Sequence, residues 1–222
     1  MTAPPMPWHA DPYADALRTG RGPLYLRRSD GRLLPLDVER WCARADAADA
    51  GVLRRCTGPV LDIGCGPGRL VAALAHGGRP VLGIDTSAAA VARTRDTGGA
   101  VLRRSVFDPL PGEGRWGSAL LMDGNIGIGG DPAALLARVA ELLCPGGLLF
   151  VEAAAAEVEE RFQVCLDDGH TMHGPVFPWA RIGAAALRCT AQRAGWTVAA
   201  HWTAHGRPFL ALARGRRRVT SR

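Results

Sequence analysis

The sequence contains no lysine, so all 27 of its basic residues are arginine, set against 21 acidic residues for a net charge of +6. That absence excludes a phosphate loop of the GxxxxGK[ST] kind outright. The arginines are scattered, and with abundant Ala, Gly and Pro they read as coding bias rather than as a nucleic-acid surface. Their one tight cluster, Arg214, Arg216, Arg217 and Arg218, is a solvated tail or a contact for an anionic partner. Paired cysteines are also missing: Cys42, Cys56, Cys65, Cys144, Cys165 and Cys189 stand singly, with no CxxC. Neither a zinc site nor a disulfide framework is suggested, and reduced thiols fit a cytoplasmic location. No run of about 18 apolar residues exists, and the Pro-rich start lacks a basic-then-apolar signal. A soluble chain without targeting peptide or membrane span is expected. There is no internal repeat and no long low-complexity linker.

What is present is ordinary globular material, 222 residues with 47% hydrophobic and 22% charged side chains, enough for one large domain and a sizeable core. Residues 1–56 read as an N-terminal cap. Apolar alternation over 24–36 surrounds Ser29-Asp30-Gly31, a hairpin signal, and Asp37 opens a helix running toward Cys56. From residue 57 to 214, short apolar runs take turns with helical stretches, and 215–222 form a basic tail. Strands are expected at 60–63, 81–84, 100–104, 119–122, 148–152, 197–203 and 207–213. Helices are expected near 69–76, 87–97, 132–143 and 180–194. Such alternation predicts an α/β fold with a mostly parallel sheet covered by helices on both faces. The short polar connection around His205-Gly206 predicts a final antiparallel hairpin.

The chemistry gathers where the first of these strands meets the first helix, in Val60-Leu61-Asp62-Ile63-Gly64-Cys65-Gly66-Pro67-Gly68. Glycines there let the backbone turn sharply and approach a ligand. A GxGxxG fingerprint is not met, because the third glycine arrives one position early and Arg69 stands where Gly or Ala is required. The acids point elsewhere. Asp85 ends Val81-Leu82-Gly83-Ile84-Asp85, 85 − 64 = 21 positions after Gly64, close to the offset of about 20 at which a carboxylate takes both hydroxyls of a ribose. Phe107-Asp108 follows the next run and is placed to flank and hydrogen-bond an adenine. Three acids, each after its own strand, imply an adenosyl ligand.

At this point the sequence resembles the class I S-adenosylmethionine-dependent methyltransferases over roughly residues 58–213. The glycine turn with Asp62 looks like that family's first motif, Gly83-Ile84-Asp85 its ribose motif, and Phe107-Asp108 its adenine-side motif. Residues 116–123 look like the strand that follows, and Leu143-Cys144-Pro145-Gly146-Gly147-Leu148-Leu149 like the turn into the fifth. The resemblance implies a Rossmann-like sheet of seven strands with the last antiparallel, and S-adenosyl-L-methionine as cofactor. It implies that Asp62 holds the methionine amino group, Gly64, Cys65, Gly66 and Gly68 the methionine half, Asp85 and Thr86 the ribose, and Phe107 and Asp108 the adenine. Asp123 is counted with this set.

The acceptor is approached by elimination. The segment Met122-Asp123-Gly124-Asn125-Ile126 has no proline pair of the amino-methylating nucleic-acid enzymes and no cysteine nucleophile. The fifth strand ends Glu152-Ala153-Ala154 rather than with the Asp-Asn of the metal-dependent catechol type, so no metal is expected. Asp123 and Asn125 are candidates to face the methyl group or acceptor, and His173 is a candidate base. Tyr25, Trp41, His170 and Trp179 are candidate acceptor contacts, the last two in a long connection after the fifth strand that reads as a lid. Asp46 and Asp49, three apart, read as exposed helix charge or a cation site. A small-molecule acceptor is favoured over nucleic acid, the alternatives being an RNA methyltransferase or a noncatalytic cofactor-binding protein.

Overall fold

In a computed structural model the protein is described over residues 11–214; the basic tail lies outside them. Seven strands form the main sheet in the order β10-β11-β7-β6-β3-β4-β5. They are β3 (Val60–Ile63), β4 (Val81–Asp85), β5 (Val101–Arg103), β6 (Trp116–Leu121), β7 (Leu143–Glu152), β10 (Trp196–Ala204) and β11 (Arg207–Arg214). The β3–β4, β3–β6, β4–β5 and β6–β7 pairs are parallel. β11 runs antiparallel to both β7 and β10, as the short His205-Gly206 connection requires.

Two-residue periodicity assigns the faces. Leu61, Ala119, Leu121, Leu149 and Val151 pack against α6 (Pro132–Leu142) and α7 (Ala184–Arg193). Their neighbours Val60, Leu120, Met122 and Phe150 pack against α3 (Ala47–Leu53) and α4 (Arg69–His76). Beside α4, Val91 of α5 (Ala88–Asp96) covers Val101. Helix starts follow side-chain caps: Ser87 accepts from Ala90 N at 3.3 Å, and Asp131 accepts from Ala133 N at 3.0 Å with Pro132 in the first helical position. Among the described residues no helix is long and apolar enough to cross a membrane.

Three parts of the sequence reading change. Residues 37–56 form two helices, α2 (Val38–Cys42) and α3, because Ala43 is extended and Asp46 starts the second helix with a capping box to Asp49. The connection after β7 is a pair of long strands rather than an irregular lid: β8 (Glu159–Asp167) and β9 (Met172–Ile182). β9 therefore delays the next helix to Ala184. With β1 (Tyr25–Arg28) and β2 (Leu33–Pro35) these strands build a second sheet, ordered β2-β1-β8-β9. Its inner side, with Leu26, Val164, Leu166 and Phe177, packs on α1 (Asp11–Thr19) through Tyr13, Ala16 and Leu17. A boundary at residue 56 thus cuts through one sheet, which takes two strands from each side of it.

Candidate functional site

The turn after β3 is shaped by backbone that favours glycine. Gly64, Gly66 and Gly68 have φ of 71°, 54° and 87°. At Gly64 the reason is also steric, since a Cβ would stand 2.6 Å from Asn125 Nδ2. That amide donates to the carbonyls of Ile63 and Gly64, both at 2.9 Å, and so clamps the turn from the 3-10 segment Asn125–Gly127. From the next strand, Asp85 accepts from Gly66 N at 2.9 Å and Ser87 N at 2.8 Å. This buried carboxylate keeps acceptor capacity for a ligand.

Above the turn lies a cavity of about 400 Å³, within the range of small-molecule sites. Its floor is Asp62, the glycine turn, Asp85 and Thr86, and Ser105, Val106 and Phe107 form one wall. Phe107 is 47% exposed, at the mouth. Asp123, Asn125 and Ile128 form another wall, and Tyr13, Leu36, Trp41, Phe177 and Trp179 close the roof. Trp179 lies against Gly127, where a Cβ would meet the indole nitrogen at 2.7 Å. Sequence reasoning missed Tyr13 and Leu36. The signal for Tyr13 was there, an apolar stripe at positions 13, 16 and 17 with helical spacing.

Charge is concentrated beneath the floor. Arg69, buried in α4, pairs with Asp49 at 2.8 Å and with Asp123 at 2.7 Å. Arg40 of α2 reaches the other oxygen of Asp123 at 2.8 Å. Arg207 at the start of β11 holds Glu152 at 2.7 Å, Asp49 at 3.0 Å and Asp46 at 3.1 Å. The Asp46–Asp49 pair is therefore a helix cap joined to arginines, with Asp46 exposed as expected and Asp49 buried. Burial works to raise Glu152, but Arg207 overrides it and holds the carboxyl below its usual range. Asp123 adopts φ 56°, uncommon outside glycine, and its N–H donates to Glu152 at 3.0 Å. Asp62 makes no ion pair with the described residues. It is 2% exposed, its Oδ2 has no hydrogen-bond partner among the described residues, and burial followed by the Asp123 charge pushes it up to about 7.

Of the residues expected at the cofactor, Asp62, Gly64, Cys65 and Gly66 line the cavity, as do Asp85, Thr86, Phe107 and Asp123. Gly68 and Asp108 do not: Gly68 is the N-cap of α4, and Asp108 turns back to accept from Ser105 N at 3.0 Å. Trp41, Asn125 and Trp179 line it too. Tyr25, His170 and His173 are corrections. Leu24 and Leu26 turn inward, so strand alternation sends Tyr25 to the opposite side of the sheet. His170 lies in the β8–β9 turn and His173 at the start of β9, beside Asp168, which accepts from His170 N and Thr171 N, each at 2.8 Å, and lies 3.0 Å from His173 Nε2. Those backbone donors bring Asp168 down to about 2. Among the described residues no group of three or more His, Cys, Asp and Glu could hold a metal ion.

Known structures share this architecture. An S-adenosylmethionine-dependent methyltransferase from Bacteroides fragilis, in complex with S-adenosylhomocysteine, superposes with a TM-score of 0.75 at 20% identity, covering 96% of this chain and 98% of that one. The 1,6-didemethyltoxoflavin N1-methyltransferase of Burkholderia thailandensis gives 0.58 at 17% identity, over 76% and 77%. The sugar N-methyltransferase KedS8 of a Streptoalloteichus species gives 0.57 at 18%, over 79% and 88%. No curated protein matches the sequence. The model of the methyltransferase domain family matches residues 42–201. The chain belongs to that methyltransferase family, and its fold is that of the class I S-adenosylmethionine-dependent enzymes.

Proposed function

We propose that the protein transfers a methyl group from S-adenosylmethionine to a small-molecule acceptor, in line and without a metal, in the cytoplasm. One observation carries the cofactor assignment: a buried carboxylate oxygen of Asp62 with no hydrogen-bond partner among the described residues, set in a cavity floor made by a glycine turn. A buried unpaired acid is costly, and the donor that fits it best is a cation with N–H groups, such as the α-ammonium of an amino acid. Asp85, with lone pairs to spare, suits the ribose hydroxyls, and Phe107 offers a ring face to an adenine. The residues present therefore fit the cofactor.

S-adenosylmethionine held by Asp62, the glycine turn and Asp85 would supply an electrophilic sulfonium methyl for the acceptor's lone pair. The protein has to align and enclose. Asn125 fixes the glycine turn, and Asp123, tied to Arg69 and Arg40, fixes the wall beside it. Both thus act as positioning residues, because the Asn125 amide N–H groups and both oxygens of Asp123 are engaged by the protein. Tyr13 and the roof exclude water, which favours transfer over side reactions. The Tyr13 phenol is held neutral, because burial and then the Asp85 charge push its pKa up.

A small acceptor is supported by the enclosed roof and by neighbours named for a toxoflavin precursor and a sugar. The test is transfer of labelled methyl from S-adenosylmethionine, in EDTA, to a small-molecule extract or to total RNA. Label in the low-mass fraction is expected. Label confined to RNA, or transfer that needs magnesium, would reverse the assignment.

A further inference from the structure

The two halves of the cavity differ in chemistry, and the difference defines what the acceptor side can hold. Among the described residues, the charged ones that line it, Asp62, Arg69, Asp85, Arg104 and Asp123, lie at or just after β3, β4, β5 and β6 of the main sheet. The described lining contributed by the N-terminal segment and β9 is instead apolar or aromatic and includes Leu36, Trp41, Val176, Phe177 and Trp179. These residues come from distant parts of the chain. They are held together because β1 pairs with β8 and β8 with β9, with Val164 opposite Phe177.

The roof is rigid as well as apolar. Phe177 and Trp179 form an edge-to-face pair with centroids 6.2 Å apart and planes at 90°. Both are almost fully buried, and β9 is joined to the cavity wall through the Ile128–Trp179 bridge. The paired rings fix the shape of the roof and make it apolar. At the mouth, Phe107 is 47% and Val176 64% exposed, two of the few large apolar side chains left open to solvent. A charged or polyhydroxylated acceptor would lose its hydration against this surface with little to replace it, whereas an apolar one gains from burial.

Accepting the cofactor on the floor, we propose that the acceptor is an uncharged, largely apolar small molecule, received under Trp41 and the Val176–Trp179 stretch of β9. The nucleophilic atom of such a molecule is its one polar feature facing the methyl group.

The experiment titrates the full chain with N-phenyl-1-naphthylamine, a neutral two-ring amine whose emission rises in apolar surroundings, with and without S-adenosylhomocysteine. Saturable one-to-one binding is expected, weakened at least tenfold in Val176→Asp and in Trp41→Ala. Val176 is mostly exposed, so an aspartate there leaves the fold intact, and S-adenosylhomocysteine affinity measured by calorimetry should be unchanged in both variants. Glucosamine, a polar amine, should not displace the probe. Absent or non-saturable probe binding, equal binding by both variants, or displacement by glucosamine overturns the proposal. Failure of S-adenosylhomocysteine to bind the wild type overturns the cofactor assignment instead, and the probe titration still judges the roof by itself.

Discussion

The floor and the roof of the cavity are built in opposite ways. The floor is a few consecutive residues after each parallel strand, with acids and arginines locked in short ion pairs. The roof is two remote segments joined as one sheet, with apolar side chains and an aromatic pair. A floor of this kind is stiff and chemically specific, suited to one invariant ligand. The roof is stiff but chemically plain, so a change of one side chain alters what it admits without touching the ligand below. The division suits an enzyme whose cofactor is fixed and whose acceptor is particular to this chain.

The largest expected effect breaks the floor itself. Arg69→Met takes an arginine from both Asp49 and Asp123, leaving them to Arg207 and Arg40, and should destabilise the protein by about 3 kcal/mol, the low end for a broken buried pair. Denaturant unfolding reads it; a loss under about 1 kcal/mol would show that the floor does not depend on this pairing. Next is Asp62→Asn, which removes a charge-assisted contact worth roughly 1.5–3 kcal/mol and should weaken S-adenosylmethionine tenfold or more in calorimetry. In the wild type the same affinity should fall as pH drops below about 7, where Asp62 takes up a proton, and the variant should lack that dependence. Stability moves the other way. A carboxyl raised in the folded state contributes stability that is fully present below its unfolded value near 4 and is lost as pH rises through about 7. The unliganded Asn variant should therefore outlast the wild type in thermal melts at pH 8.

A smaller effect separates floor from roof. Asn125→Ala deletes two hydrogen bonds to the glycine turn, each worth about 1 kcal/mol, and should weaken cofactor binding as well as turnover. Trp41→Ala should leave cofactor affinity alone, and equal effects of the two on S-adenosylhomocysteine binding would erase the distinction. Smallest of all is His173→Ala. With its ring on Asp168 and outside the cavity, turnover should change less than twofold and stability by less than about 0.5 kcal/mol. A large loss of turnover there would restore the histidine as a base.

The sequence by itself determined the floor. Asp62, the glycine turn and Asp85 sit at the ends of parallel strands, so local spacing already implies that they converge at one edge of the sheet. Apolar periodicity likewise made the main sheet and its helices legible, down to the antiparallel last strand. What only the tertiary structure decided depends on pairing between distant segments. Phe162, Val164 and Leu166 alternate as a strand should, but nothing local says that their partner is β1, some 140 residues earlier in the Arg27–Asp167 pair. For the same reason His173 looked like part of a lid and proved to be the tip of a hairpin, while Tyr13 was overlooked and proved to roof the glycine turn. Asp123 and Asn125 were placed correctly along the chain, but the arginines and carbonyls that claim their side chains come from elsewhere in the sequence. Strand ends are fixed by local backbone geometry, whereas the partner of a buried charge or of a sheet edge is fixed only once the whole chain has packed.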